Sequence, residues 1–222
     1  TVSVQAIGGT NYQDSTESSK TSARTRGLPQ SITVDASGVV DATGSWIDGT
    51  WYTATLGTSR VTPTAIQNQM GSANATLTTA GAITVSSAVT ATNASRSLTI
   101  NSTAGDVTVT GSVSVAGNFA ISGAAVTINA NQSTTNGGNI TITPSGDFTG
   151  TGALNSAGSL TVSSGTTVRP RGSVRASGDI TLSGSGAFTN TGATITSTAG
   201  DIRITSTGDA ATVTAALAAA GA

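Results

Sequence analysis

Gly138-Asn139-Ile140-Thr141-Ile142, Gly158-Ser159-Leu160-Thr161-Val162 and Gly178-Asp179-Ile180-Thr181-Leu182 are three copies of one short sentence. Each has a glycine, a small or polar residue, then apolar, Thr, apolar. Alternation with period two places the two apolar side chains on one side of an extended chain and Thr on the other. Further copies lie at Gly117-Asn118-Phe119-Ala120-Ile121 and Gly200-Asp201-Ile202-Arg203-Ile204. The glycine-to-glycine steps from Gly117 to Gly200 are 21, 20, 20 and 22 residues. Earlier copies occur at Gly81-Ala82-Ile83-Thr84-Val85 and Gly105-Asp106-Val107-Thr108-Val109. Their phase is ambiguous, and Arg96-Ser97-Leu98-Thr99-Ile100 is the alternative in-phase copy.

Weaker apolar segments fill the spaces between these strands: Val113 and Val115, Val126 and Ile128, Phe148, Val168, Phe188 and Ile195. One repeat therefore holds two or three short strands separated by turns. Such a unit cannot bury its apolar side alone. Stacked at the ~4.8 Å strand spacing, it buries a continuous column and pairs its backbone groups from rung to rung. The expected fold is all-β: a right-handed parallel β-helix, a solenoid with roughly 20-residue coils, six or seven of them between Ala75 and Thr207. Ile83, Val85, Val107, Val109, Ile140, Ile142, Leu160, Val162, Ile180, Leu182, Ile202 and Ile204 are its expected core.

Four regions follow from this reading. Residues 1–30 hold an alternating stretch, Thr1–Ile7, and a polar segment that is expected to be exchanged between subunits. Residues 31–74 hold a further strand, Ser31-Ile32-Thr33-Val34, and most of the large aromatics. They also hold one short helix near 63–70, with Thr62 as N-cap, Pro63 at the first helical position and Ile66 and Met70 on its buried side. Residues 75–208 are the repeats, and 209–222 form an apolar C-terminal tail.

The helix, followed by Ala75-Thr76-Leu77-Thr78-Thr79-Ala80-Gly81-Ala82-Ile83-Thr84-Val85, resembles a segment of filamentous-haemagglutinin-like bacterial surface β-helix proteins. The Gly-Asp-Ile-Thr-Leu copies are similar to that family's repeats. The resemblance spans roughly residues 60–208. It implies a secreted bacterial β-helix that acts as an adhesin or a surface fibre.

Composition narrows the chemistry. The chain has 222 residues, of which 9% are charged and 3% aromatic, with a formal net charge of −1. No basic stripe is present to neutralise phosphates, so nucleic acid is not an expected partner. Arg169, Arg171 and Arg175 read as a solvated turn. No run of residues reaches the ~20 apolar positions of a membrane span. His and Cys are absent, which removes Ser-His-Asp and Cys-His arrangements and the usual zinc ligand sets. Asp106, Asp179 and Asp201 recur after glycine at one repeat position. A carboxylate site of a polysaccharide-active enzyme is one reading of them, and turn chemistry is the favoured one. No catalytic residue, metal ligand or cofactor is expected.

The expected function is a structural subunit of an extracellular, cell-surface fibre that assembles head-to-tail with itself. The alternative is a monomeric adhesin segment of a larger exoprotein, with a host or neighbouring-cell surface as partner. The candidate assembly contacts are Val2, Val4 and Ile7 in the first strand, Trp46, Trp51 and Tyr52 near the N-terminal end, and Leu217 near the C-terminal end.

Overall fold

The computed structural model describes residues 28–37, 40, 44–53 and 57–220. They form a parallel β-solenoid of about 8 turns with coils of about 22 residues and one short helix. Each coil has three faces in chain order. Face 1 carries strands such as Phe119–Gly123, Ile140–Pro144, Leu160–Ser164 and Ile180–Gly184. Face 2 carries the shorter Val126–Ile128, Phe148–Gly150 and Val168–Pro170, and face 3 carries Gln132–Thr134, Leu154–Ser156 and Val174–Ala176. Faces 1 and 2 are nine-stranded sheets and face 3 is seven-stranded. Every coil from Ala75 onward pairs in register with the next, as in Phe119↔Ile140, Ile140↔Leu160 and Leu160↔Ile180.

Alternation sets what points inward. Ile140 and Ile142 are buried while Thr141 between them is half-exposed, and Ile180, Thr181 and Leu182 behave alike. The inward side chains stack into columns, for example Ile83, Val107, Val126, Phe148, Val168 and Phe188 on face 2. Ten of the twelve expected core residues are buried. The exceptions are Ile202 and Ile204, which are half-buried. They stand in the terminal strand of face 1 among the described residues.

The ambiguous phase now has an explanation. Leu98 pairs with Phe119 on face 1, so Arg96–Ile100 is the in-phase copy. Gly81–Val85 and Gly105–Val109 belong to face 2, where Ile83 pairs with Val107 and Val107 with Val126. The same five-residue sentence is thus used on two faces, because both carry an inward-outward-inward strand after a turn.

Corners are held by side chains that serve the backbone. The last inward residue of a strand donates to the carbonyl three positions on: Ser156 Oγ to Ser159 O at 2.8 Å, Ser164 Oγ to Thr167 O at 3.0 Å, Asn190 Nδ2 to Ala193 O at 2.9 Å. The carbonyls of Ser159 and Thr167 also accept the rung-to-rung N–H of Ile140 and Phe148, so at these corners the side chain adds a second bond that fixes the turn. Some corners also need the absence of a side chain. A Cβ on Gly152 would lie 2.0 Å from the carbonyl oxygen of Ala130 in the coil below.

The N-terminal end departs from the regular coil. Ser31–Val34 lies on face 2 between Thr58–Val61 and Ile83–Val85, out of chain order, with Ile32 and Val34 buried. Face 1 begins with a hairpin, Ser45–Ile47 antiparallel to Thr50–Tyr52. Its turn residues Asp48 and Gly49 both have positive φ, 48° and 79°, the geometry that matches strand twist in a two-residue hairpin and favours Asp-Gly. On face 3 the helix Pro63–Ser72 takes the place of a strand. Thr62 caps it by accepting from Ala65 N, and Ile66 and Met70 are buried, as expected.

The array runs further than expected at the other end. Residues beyond 208, expected to form a tail, supply Ala211–Val213 and Leu217–Ala219, the face 2 and face 3 strands of a seventh coil. Ala and Thr carry little apolar signal, so pairing with Phe188–Asn190 and Ile195–Ser197 is what reveals them as strands.

Candidate functional site at the two ends of the solenoid

The two ends are built differently. At the N-terminal end, Trp51 is 2% exposed and covers the apolar column, and its Nε1–H donates to Ser59 Oγ at 2.8 Å. Trp46, directly opposite it in the hairpin, meets it edge-to-face with ring centroids 5.2 Å apart and planes at 67°. Such pairs add about 0.5–1.5 kcal/mol beyond burial. Trp46 and Tyr52 are only half-buried. The three expected aromatic contacts therefore divide: Trp51 is a core cover, and Trp46 and Tyr52 remain accessible.

At the C-terminal end nothing among the described residues covers the last coil. Ile202–Ser206, Ala211–Val213 and Leu217–Ala219 are each the terminal strand of their sheet. Val213 is 38% and Leu217 48% exposed, where the equivalent Ile128 and Leu154 of inner coils are buried. Unpaired strand edges over an apolar cross-section are a surface on which another strand layer stacks. Leu217 thus lies on the open end. Val2, Val4 and Ile7 lie outside the described residues.

The recurring acids serve turns. The residue just before a strand accepts, through its side chain, the N–H of its counterpart one coil later. Asn118 Oδ1 accepts from Asn139 N at 2.9 Å, Asn139 Oδ1 from Ser159 N at 2.7 Å and Asp179 Oδ1 from Asp201 N at 2.9 Å. Asp106 Oδ1 accepts from Ala125 N at 3.0 Å before face 2. Asn and Asp perform the same task, so the site needs an acceptor rather than a charge. Asp147, in the same position, accepts from the Thr166 hydroxyl and the Thr167 N–H, and these bonds hold its carboxyl below the ordinary carboxylate value. Asp35 is lowered likewise by the backbone N–H and hydroxyl of Ser37. Among the described residues no cluster of three or more His, Cys, Asp or Glu is placed to hold a metal ion. Arg169, Arg171 and Arg175 are exposed around one corner of the fifth coil. No helix among the described residues is long and apolar enough to cross a membrane.

Two features of the ends escaped the sequence reading. The hairpin was marked by Asp48-Gly49 between Trp46-Ile47 and Thr50-Trp51, a turn signal that the aromatic content overshadowed. The helix residues Asn68 and Gln69 line a cleft beside Trp46; with no carboxylate or imidazole, nothing in their types announced it.

The haemagglutinin repeat model matches this chain three times, over residues 64–111, 78–164 and 155–221. Neither the curated proteins nor the solved structures give a match. The matched residues begin in the helix and run through the seventh coil, the same stretch that the rung-to-rung pairing defines as regular. On that evidence the chain belongs to the haemagglutinin repeat family, whose filamentous-haemagglutinin-like members are secreted or surface proteins.

Proposed function

We propose that this chain is a structural, non-catalytic stretch of a bacterial cell-surface rod, an adhesin segment closed at its N-terminal end and extended by stacking at its C-terminal end. The observation that carries this reading is the asymmetry of the ends. Trp51, the helix and the hairpin close one end, while the other leaves Val213 and Leu217 exposed over three strand edges. The rod's role is to hold out surface from the cell, and a host or neighbouring-cell surface is its partner.

Head-to-tail fibres made of this chain alone meet an obstacle. A copy docking its open end onto the next N-terminal end would need three parallel edges there. Face 3 offers a helix, and face 1 offers Ser45–Ile47, which runs antiparallel to its neighbour. Among the described residues only Thr58–Val61 on face 2 presents a parallel edge strand. Among the described residues the three strand edges beyond Ser206, Val213 and Ala219 offer a second pairing, end against like end, and such an isologous contact closes after two.

Negative-stain images of the purified protein test this. Short rods and end-joined pairs are the expected particles, and Leu217→Lys with Val213→Lys should leave short rods alone. Long unbranched fibres would overturn the reading in favour of head-to-tail self-assembly.

A further inference from the structure

We infer that the groove between the helix Pro63–Ser72 and the strand Val89–Ala91 is a binding site for an extended, uncharged peptide segment of a partner polypeptide, which adds to the open edge of face 3. This goes beyond the rod reading and does not rest on it.

Val89–Ala91 is the terminal strand of face 3 among the described residues. A strand presents its backbone groups to its two sides by turns. Val89 and Ala91 face Val113–Val115: Val89 N–H donates to Ser112 O at 2.9 Å, and Ala91 O accepts from Ala116 N at 2.8 Å. The N–H and C=O of Thr90 therefore point to the helix side, where neither makes a hydrogen bond among the described residues. The inner strands of this face have a neighbour on both sides. A helix cannot take over that role, because its own N–H and C=O groups are spent along its axis.

A groove of about 290 Å³ lies at this edge, lined on the helix side by Gln67, Met70 and Gly71 and on the strand side by residues 90–93. An extended peptide shows N–H and C=O groups on both of its edges. Thr90 meets one edge. The side-chain amide of Gln67, donor and acceptor both and without a hydrogen bond among the described residues, meets the other. Such strand addition takes its affinity from the backbone bonds.

The groove is held open and in shape. Gly71 is helical, and a Cβ on it would meet nothing within 4 Å. Neither backbone conformation nor packing calls for glycine there, and its missing side chain leaves the groove wide. Asn93 Nδ2 donates to Gly71 O at 3.3 Å and ties the two walls together. The buried Met70 forms the floor, with a thioether that adapts to what lies on it. The lining residues and their chain neighbours, 66–72 and 89–94, are all neutral, so a charged side chain gains no partner from them. The volume stands at the lower end of the roughly 300–1,000 Å³ of small-ligand sites. The side chains turned to the floor are therefore small, of the Gly, Ala or Ser kind.

The probe is the capped peptide acetyl-Ser-Ala-Thr-Ala-Thr-Ala-Ser-amide, added at millimolar concentration to dilute, ¹⁵N-labelled protein. In the free protein the Thr90 amide should exchange rapidly with solvent. The peptide should shift its resonance and that of the Gln67 side chain, and should protect the Thr90 amide from exchange. The same peptide with proline in place of its central alanine lacks a backbone donor there and should bind about tenfold more weakly. Gly71→Leu, which fills the groove without burdening the helix, should keep the parent's melting temperature or raise it and lose the peptide by at least that factor. Gln67→Ala should weaken binding by about three- to tenfold, the loss of one hydrogen bond. Protection of Thr90 in the free protein would mean that the protein's own chain or a second copy fills the groove, and would overturn the inference. So would the absence of any peptide-induced change at Thr90, or parent-like binding by the proline peptide or by Gly71→Leu.

Discussion

Replacing Ile142 by aspartate should abolish the folded solenoid, whereas the same change one residue away, Thr141→Asp, should be nearly silent. Ile142 is fully buried in the face 1 column between Ile121 and Val162. A carboxylate there loses its water and finds no cation, a penalty of several kcal/mol after relaxation. That is comparable with the whole net stability of a domain, about 5–15 kcal/mol. Thr141 points outward from the same strand, and surface changes of this kind stay within about 0.5 kcal/mol. Chemical denaturation of both variants checks the contrast. Equal loss in the two would mean that the face assignment is wrong.

Phe148→Ala is the second large effect. Phe148 is fully buried on face 2, stacked on Val126 and under Val168, and its ring fills the space left by the side-chain-free Gly150. Truncation leaves a cavity that backbone-paired coils above and below cannot close. Losses of about 3–5 kcal/mol are usual for such a change, and the denaturation midpoint of this variant should fall accordingly. Gly150→Ala is not a remedy in the parent, because a Cβ there would lie 2.9 Å from the Phe148 ring. In the Phe148→Ala background the added methyl group should recover part of the loss.

Much of the coil was legible because its determinants are local. Apolar-Thr-apolar alternation fixes which side of a strand faces in, and a repeat near 20 residues fixes that strands stack on their counterparts. Thr62, Pro63 and the Ile66–Met70 spacing likewise carried the helix. What escaped depends on long-range pairing. Ser31–Val34 was legible as a strand, but its insertion between Thr58–Val61 and Ile83–Val85 has no local signal. The strands Ala211–Val213 and Leu217–Ala219 are built from residues that pack little, and only the coil beneath identifies them. Ile202 and Ile204 read as core because their pattern is the same as that of Ile180 and Leu182. Their partial exposure follows from their place in the terminal strand of face 1 among the described residues, which no pattern within the strand encodes. The cleft at Trp46 is likewise assembled from a hairpin and a helix turn some twenty residues apart.

Amide hydrogen exchange read coil by coil on the dilute, monomeric protein tests the central claim, a stacked solenoid closed at one end and open at the other. Protection follows local stability, and an edge strand with one neighbour opens more readily than an inner one with two. The amides of Phe148–Gly150, Leu160–Ser164 and Ile180–Gly184 should exchange slowest, those of Thr50–Tyr52 should be protected by the N-terminal closure, and those of Ala211–Val213 and Leu217–Ala219 should exchange fastest. Uniform protection through the seventh coil in the monomer, or rapid exchange in the central coils, would contradict the account.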